Sequence, residues 1–252
     1  MPHGAAWMAV SGYHFLDRQD HSGWLAVCSQ AFSVCLSGND VVMLISRKHK
    51  FLFVHVYKNA GMSISKGLSP FAVSRYQRET VRVLKQLHLP CPTRWDPTPY
   101  ETHATASDLI SLMGRAEFNS FFSFAVVRNP WDWLVSLYFY VLKKPDHHLH
   151  RLFKEQGSFQ NYICWQCEGG LPLQKDFIFS QDGEQLVSFI GRYEELDRDF
   201  KHICMKVGVS ADLPQLNVSR KTRSYKEYYD DRLVQMVREK YQPDIDLFDY
   251  RF

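Results

Sequence analysis

The sequence of 252 residues has no long apolar run. A helix that crosses a bilayer needs about 20 apolar residues in succession. The best stretch, residues 24–36, is interrupted by Ser29, Gln30 and Ser33. It also follows a mixed acidic and basic segment, where a secretory signal would be positively charged. We therefore expect a soluble, cytoplasmic protein that is not associated with a membrane.

Excess charge of either sign is also small. The chain has 30 Lys and Arg residues against 27 Asp and Glu, which gives a formal net charge of +3. Proteins that bind nucleic acid usually carry a strongly basic face, so nucleic acid is not an expected partner. Any anion that the protein holds must be bound by a local arrangement of groups.

Cysteines are few and irregularly placed, at positions 28, 35, 91, 164, 167 and 204. This spacing matches no disulfide framework, so reduced thiols are expected. Cys164 and Cys167 form one CxxC pair without the second pair of a zinc site. His147, His148 and His150 are interpreted as a solvated polar cluster. No metal site is predicted.

Apolar runs and helical patterns alternate along the chain. Residues 51–57 and 121–127 are continuous apolar runs, typical of strands buried on both faces. Residues 177–179 and 186–190 are shorter strand candidates. Helices are predicted at six places: after the small-residue turn at 58–64, over 74–87, after Thr105, after Asn129, over 194–207 and after Ser224. This alternation predicts an α/β fold with a parallel sheet covered by helices on both sides.

Three of these helices have recognisable starts. Thr105 with Asp108, and Ser224 with Glu227, have the spacing of a capping box. Asn129 caps the helix that begins at Pro130, and Asp132 in its first turn is interpreted as part of the cap. The aromatic residues of that helix are interpreted mainly as core: Trp131, Trp133, Tyr138 and Tyr140.

The first part of the chain differs from the rest. Residues 1–23 mix Gly, His, Ser and charged residues without a sustained period, and a denser apolar pattern starts at Met43. We predict that residues 1–42 are a loosely ordered N-terminal extension. Residues 43–252 would form the working domain.

Two cations follow predicted strands, at the places where a parallel sheet binds ligands. Lys58 opens a turn of small residues, and Arg128 precedes the capped helix at Pro130. Helix N-termini and close backbone N–H groups bind anions there. Two such turns imply a ligand with two separated anionic groups. The first turn is not a Walker A loop, because Lys58 precedes Gly61 instead of following a Gly at the end of the loop.

At these turns the chain resembles a known family. Residues 51–64, Phe-Leu-Phe-Val-His-Val-Tyr-Lys-Asn-Ala-Gly-Met-Ser-Ile, resemble the 5′-phosphosulfate loop of sulfotransferases that use 3′-phosphoadenosine-5′-phosphosulfate (PAPS). Residues 124–136 resemble their 3′-phosphate motif. Residues 217–250 are similar to the carbohydrate-type, Golgi-related branch and its bacterial relatives. The resemblance covers roughly residues 43–252 and implies a P-loop-like three-layer fold, with a central parallel sheet flanked by helices.

The resemblance implies a role for each matching residue. Lys58 would neutralise charge on the departing phosphate. The 5′-phosphosulfate would be held by the loop, which consists of Lys58, Asn59, Ala60, Gly61, Met62 and Ser63. Arg128 and Ser136 would hold the 3′-phosphate. The chain departs from the family in having Tyr57 where Pro is common and Asn59 where Thr is common, and neither change removes a cation or a donor.

Further residues are expected on the acceptor side and on the adenine side of the site. His103 is the expected general base, with Glu101 as the alternative; His55 is expected to point into the packing of the sheet. Tyr193 resembles the aromatic residue that contacts adenine. Arg220 and Arg223 belong to a basic loop that would close over the 3′-phosphate, or form a solvated turn.

The implied function is transfer of the sulfuryl group from PAPS to a hydroxyl or amine of a carbohydrate or small metabolite. The product would be adenosine 3′,5′-bisphosphate, and no metal is required. Two alternatives stay open: a nucleotide-dependent phosphotransferase on a similar fold, and a PAPS-binding protein without catalysis. The acceptor and the oligomeric state do not follow from the sequence.

Overall fold

The computed structural model describes residues 44–72, 75–90, 103–214 and 223–252. The predicted extension, residues 1–42, lies outside these ranges, and so do Glu101 and Arg220; the hypotheses about them stay predictions. Within the described part of the chain, none of the helices has the length and apolar character that crossing a bilayer requires.

Four strands of the described chain form one mixed sheet: β1 (Leu44–Ser46), β2 (Phe51–Val54), β3 (Phe122–Val127) and β4 (Phe189–Arg192). They lie in this order; β2, β3 and β4 are parallel, and β1 pairs with β2 in the antiparallel direction. The carboxyl ends of the three parallel strands therefore meet at one edge. The turns that carry Lys58 and Arg128 start from neighbouring strands of that edge.

Helices surround this sheet. They are α1 (Gly61–Leu68), α2 (Arg75–Gln86), α3 (Ala106–Met113), α4 (Arg115–Asn119), α5 (Pro130–Leu142), α6 (His150–Gln156), α7 (Phe159–Gly169), α8 (Leu196–Val207) and α9 (Asp231–Leu247). One face of the sheet packs on α1 and α8, with Phe53, Phe124 and Phe200 at the centre of the contact. Leu52 and Ala125 point to the other face and are also fully buried, so helices cover both faces. The predicted α/β fold is confirmed.

The capping signals are found as predicted, with one difference. The Thr105 side chain accepts from the Asp108 N–H, and Asn129 Oδ1 accepts from the Trp131 N–H. Ser224 also forms its capping box, but it opens a 3-10 turn, Tyr225–Tyr228. Helix α9 starts only at Asp231, because Asp230 caps it separately.

Some strand and helix boundaries were predicted wrongly. The run over 51–57 remains buried to Tyr57, but pairing ends at Val54 because the chain turns into the loop. The prediction of a strand over 177–179 is wrong. Phe177 is the last residue of a 3-10 turn, Gln174–Phe177, whose first two backbone N–H groups donate to the Asp244 carboxylate. The next strand begins later than predicted, at Phe189, and a 3-10 turn, Tyr193–Glu195, precedes α8.

Candidate active site

The turn after β2 holds Lys58 in an uncommon backbone conformation. Lys58 and Ala60 have positive φ angles of 64° and 59°, in the left-handed region that residues with a side chain rarely adopt. Left-handed residues within a tight turn direct backbone N–H groups into a concave anion-binding loop. Helix α1 begins next, at Gly61, and its N-terminus adds partial positive charge.

Gly61 lets this loop pack closely against His55. A Cβ atom at residue 61 would lie only 1.7 Å from Nε2 of His55, so a larger residue would displace the ring or the loop. His55 is buried after β2 and stacks on Phe53 with a centroid distance of 5.4 Å. Glycine is therefore required here by a close approach to a side chain.

Arg128 follows β3 and reaches the Lys58 loop. Its Nη1 donates a hydrogen bond of 3.1 Å to the Lys58 carbonyl, and its Nε and Nη2 lie 2.8 and 2.6 Å from Oδ2 of Asp132. The guanidinium also stacks on Tyr193, at 3.8 Å from the ring centre. Asp132, interpreted from the sequence as part of a helix cap, is therefore the ion-pair partner of Arg128. A guanidinium has five N–H groups, and these contacts within the described chain use three of them.

A buried glutamine joins the two loops. Oε1 of Gln174 accepts from Asn59 Nδ2 at 2.8 Å and from the Arg128 N–H at 2.9 Å, and its Nε2 donates to the Arg128 carbonyl at 2.7 Å. Asn59 Nδ2 also donates to the Val126 carbonyl at 2.8 Å. The backbone of Gln174 is fixed in turn by Asp244. Burial raises the pKa of Asp244 to about 6, against the opposing effect of these backbone donors.

The side chain of Lys58 lies in a cationic environment. Burial, and then the neighbouring Arg128 and Lys144, lower the pKa of Lys58 to about 7. Its Nζ lies 3.5 Å from the centre of the Tyr140 ring. An anion bound in the loop would favour the ammonium form and raise this pKa again. The site is thus suited to a negatively charged ligand.

His103 lies beside the same segment, just before α3. Its Nδ1 is 3.0 Å from the His55 carbonyl. A carbonyl can only accept, so Nδ1 carries the proton and the neutral ring has its lone pair on Nε2. The ring also packs against His55 and against the edge of Tyr57, with centroid distances of 4.6 and 5.6 Å. This tautomer can accept a proton at Nε2, as a general base must.

His55 itself is held neutral. Burial, and then the nearby His103 and Lys58, lower its pKa well below the usual range. Among the described residues, its buried Nδ1 has no hydrogen-bond partner. The predicted packing role of His55 fits this position, since its carbonyl orients His103 and its ring fills the space above Gly61.

One face of α5 runs along the Lys58 loop. Trp133 Nε1 donates a hydrogen bond of 2.8 Å to the Tyr57 carbonyl, and Tyr140, seven positions later, contacts Lys58. Ser136 is buried on the same face between them. Trp133 and Tyr140 were interpreted mainly as core residues. Their spacing from Ser136 is the signal that could have identified them as site residues.

The structure brings most of the predicted residues to one edge of the sheet: Lys58, Asn59, Ala60, Gly61, Ser63, His103, Arg128, Ser136 and Tyr193. Met62 lies on the more exposed side of α1. Arg223 is exposed, at the point where the described chain resumes after residue 222. Gln174 was missed because no motif or periodicity marks it; only the folded chain places it between the two loops.

A family model described as the sulfotransferase family matches residues 42–179, slightly more than half of the chain. The chain belongs to the sulfotransferase family. The matched part of this sulfotransferase contains the Lys58 loop, His103, Arg128 and Gln174, and it ends before Tyr193. No curated protein matches the chain.

The remaining metal-ligating residue types of this sulfotransferase also bear on the predictions made from the sequence. In the described ranges, no group of three or more His, Cys, Asp and Glu side chains is arranged to hold a metal ion. Cys164 and Cys167 are free thiols. Burial is the main cause that raises the pKa of Cys167 to about 11, so its reactive thiolate form is disfavoured near pH 7.

Proposed function

We propose that this sulfotransferase uses PAPS and transfers its sulfuryl group to a hydroxyl or amine of a carbohydrate or another small metabolite. The observation that carries the proposal is the hydrogen bond between Arg128 and the Lys58 carbonyl. It joins two cationic turns at one edge of the sheet, as a donor with separated 5′ and 3′ anionic groups requires. The resemblance to the carbohydrate-type branch supports the acceptor class.

The residues present fit such a donor. Positive φ angles at Lys58 and Ala60 shape a concave loop, and α1 begins at its end. The loop would hold the 5′-phosphosulfate through its backbone N–H groups and Ser63. Arg128 and Ser136 would hold the 3′-phosphate, with Tyr193 close to the adenine. The roles of Arg220, Arg223 and Glu101 remain predictions.

Each catalytic residue has a defined task in this proposal. When bound, PAPS supplies an activated sulfuryl group, whose bond to the phosphate breaks as the acceptor atom bonds to sulfur. The ammonium group of Lys58 stabilises the negative charge that develops on the phosphate oxygen, as a preplaced cation does without reorganisation. Nε2 of His103 takes the proton from the attacking hydroxyl or amine of the substrate, because Nδ1 donates its own proton to the His55 carbonyl.

Calorimetric binding of adenosine 3′,5′-bisphosphate, in the presence of a chelator, tests the donor. We expect binding to the wild type and at least about a 10-fold weaker affinity for Arg128→Ala, which loses charge-assisted hydrogen bonds. Arg151→Ala is the matched control, because Arg151 is exposed on α6 and, among the described residues, forms its ion pair with Glu155 one turn away. Absence of binding to the wild type, or binding that requires magnesium, would contradict the proposal and favour a phosphotransferase.

Transfer of radiolabelled sulfate from PAPS to a panel of acceptors tests the reaction. The panel should contain oligosaccharides, phenols and amines, so that the acceptor class is read directly. Labelled product that is lost in Lys58→Ala supports catalysis. Bisphosphate binding without transfer to any member of the panel would support the other alternative, a PAPS-binding protein without catalysis.

A further inference from the structure

The ammonium group of Lys58 rests on an aromatic ring, at a cation–π distance. Its Nζ lies 3.5 Å from the centre of the half-buried Tyr140 ring. We propose that Tyr140 is a positioning residue for Lys58, whose ring face fixes the ammonium group beside the loop and keeps it charged. The inference deepens the proposed function and rests on it, since it concerns the lysine that would stabilise the leaving phosphate.

Helix geometry supports this role, because Tyr140 is built into the wall of the site. Residues 133, 136 and 140 share one face of α5. Trp133, at one end of this face, bonds to the carbonyl of Tyr57, and Tyr140, at the other end, covers the Lys58 side chain. The two aromatic residues therefore hold the loop backbone and the lysine side chain from a single rigid element.

The charges around Lys58 explain why an aromatic ring is needed. Burial and the cations Arg128 and Lys144 all disfavour the ammonium form. His55 and His147 also face Lys58, and the pKa of each is lowered, chiefly by burial, so both are neutral near pH 7. Asp132, in the first turn of α5, is paired with Arg128 and does not neutralise Lys58. The electron-rich face of Tyr140 attracts the cation without adding a negative charge that would repel an anionic donor.

The benefit for the reaction is electrostatic. A carboxylate at position 140 would keep Lys58 charged, but it would neutralise the field that the loop needs for the donor. A ring face stabilises an ammonium group most strongly where water is excluded. It thereby raises the charged fraction of Lys58 and, being neutral, adds no negative charge to the site.

Titration of Lys58 in the wild type and in variants of Tyr140 and Phe139 tests the inference without any substrate. Protein labelled with ¹³C-lysine is titrated by NMR, and the Lys58 signal is assigned by its absence in Lys58→Arg. Tyr140→Leu removes the ring, and we expect the pKa of Lys58 to fall by about one unit or more. Tyr140→Phe retains the ring face and should keep the wild-type pKa.

Phe139→Leu is the matched control for loss of an aromatic residue from α5, because the Phe139 ring contacts Tyr138 and Tyr228. It should leave the Lys58 titration unchanged. An unchanged Lys58 pKa in Tyr140→Leu would overturn the inference. So would a fall in Tyr140→Phe equal to that in Tyr140→Leu, because the hydroxyl and not the ring would then be responsible.

The pH dependence of kcat/KM for the donor provides the functional measurement. The reaction needs protonated Lys58, so the rate falls as pH rises through the pKa of the free enzyme. We expect this alkaline limb to move to lower pH by about one unit in Tyr140→Leu only. A uniform rate loss without movement of the limb would overturn the role. If the wild type does not bind the bisphosphate, the proposed function fails separately, while the NMR result stands by itself.

Discussion

Asn59 donates a hydrogen bond of 2.8 Å to Oε1 of Gln174, across 115 residues of sequence. Because the same oxygen accepts the Arg128 N–H, this bond sets the distance between the loop after β2 and the loop after β3. The separation of two anion-binding loops determines which ligand can occupy both. We therefore predict that Gln174 influences ligand selection, although it belongs to neither loop.

Substitution of Gln174 should weaken both stability and donor binding. Gln174→Ala leaves the Asn59 amide and the Arg128 backbone without their buried partner, and we expect the free energy of unfolding to fall by about 1–3 kcal/mol. Gln174→Glu keeps the acceptor but loses the donor to the Arg128 carbonyl and adds a buried charge. Urea denaturation and bisphosphate calorimetry measure the two effects. Gln185→Ala, at an exposed position, is the control; equal effects at both positions would contradict the role.

Lys58 should reduce stability in a pH-dependent way. The pKa of Lys58 is about 7 in the folded protein and about 10.5 in the unfolded chain, so the unfolded chain binds more protons between these values. The free energy of unfolding therefore rises with pH across this window. We expect Lys58→Met to be more stable than the wild type at pH 6, on the order of 1–2 kcal/mol.

This stabilising effect should disappear as the pH approaches 10. Urea denaturation of both proteins across the pH range is the measurement. Lys66→Met, on the exposed side of α1, controls for the replacement itself. A difference in stability that stays constant from pH 6 to pH 10 would show that the charge on Lys58 is not the cause.

His103 should be required for transfer and not for donor binding. His103→Asn keeps a side-chain donor near the His55 carbonyl but has no basic nitrogen. We expect kcat to fall by about 10²–10⁴-fold, with unchanged affinity for adenosine 3′,5′-bisphosphate. Steady-state kinetics and calorimetry separate the two quantities. If the variant retained most of its kcat, Glu101 would become the candidate base.

Gly61 and His55 should be energetically coupled. Gly61→Ala places a methyl group against the His55 ring, and we expect it to destabilise the protein. In the His55→Ala background the same change should cost much less, because the space above residue 61 is empty. A double-mutant cycle in urea should give a coupling energy of about 1–3 kcal/mol. Additive effects would mean that the loop, and not the histidine, yields to the methyl group.

The sequence alone determined the fold class and located the two cationic turns that carry Lys58 and Arg128. Continuous apolar runs before Lys58 and Arg128 predicted strands that are buried on both faces. Local capping signals at Thr105 and Asn129 predicted where two helices begin. These features are encoded within a few residues of each other. They can therefore be recognised before any long-range contact is known.

Only the tertiary structure decided which distant residues complete the site. Gln174 reaches the loops because Asp244, on α9, fixes its backbone, and the same contact replaced a predicted strand by a 3-10 turn. Trp133 and Tyr140 are residue types common in a protein core, and their contacts with Tyr57 and Lys58 come from the docking of α5 along the Lys58 loop. Such roles depend on how separate elements pack, and no local pattern records that packing.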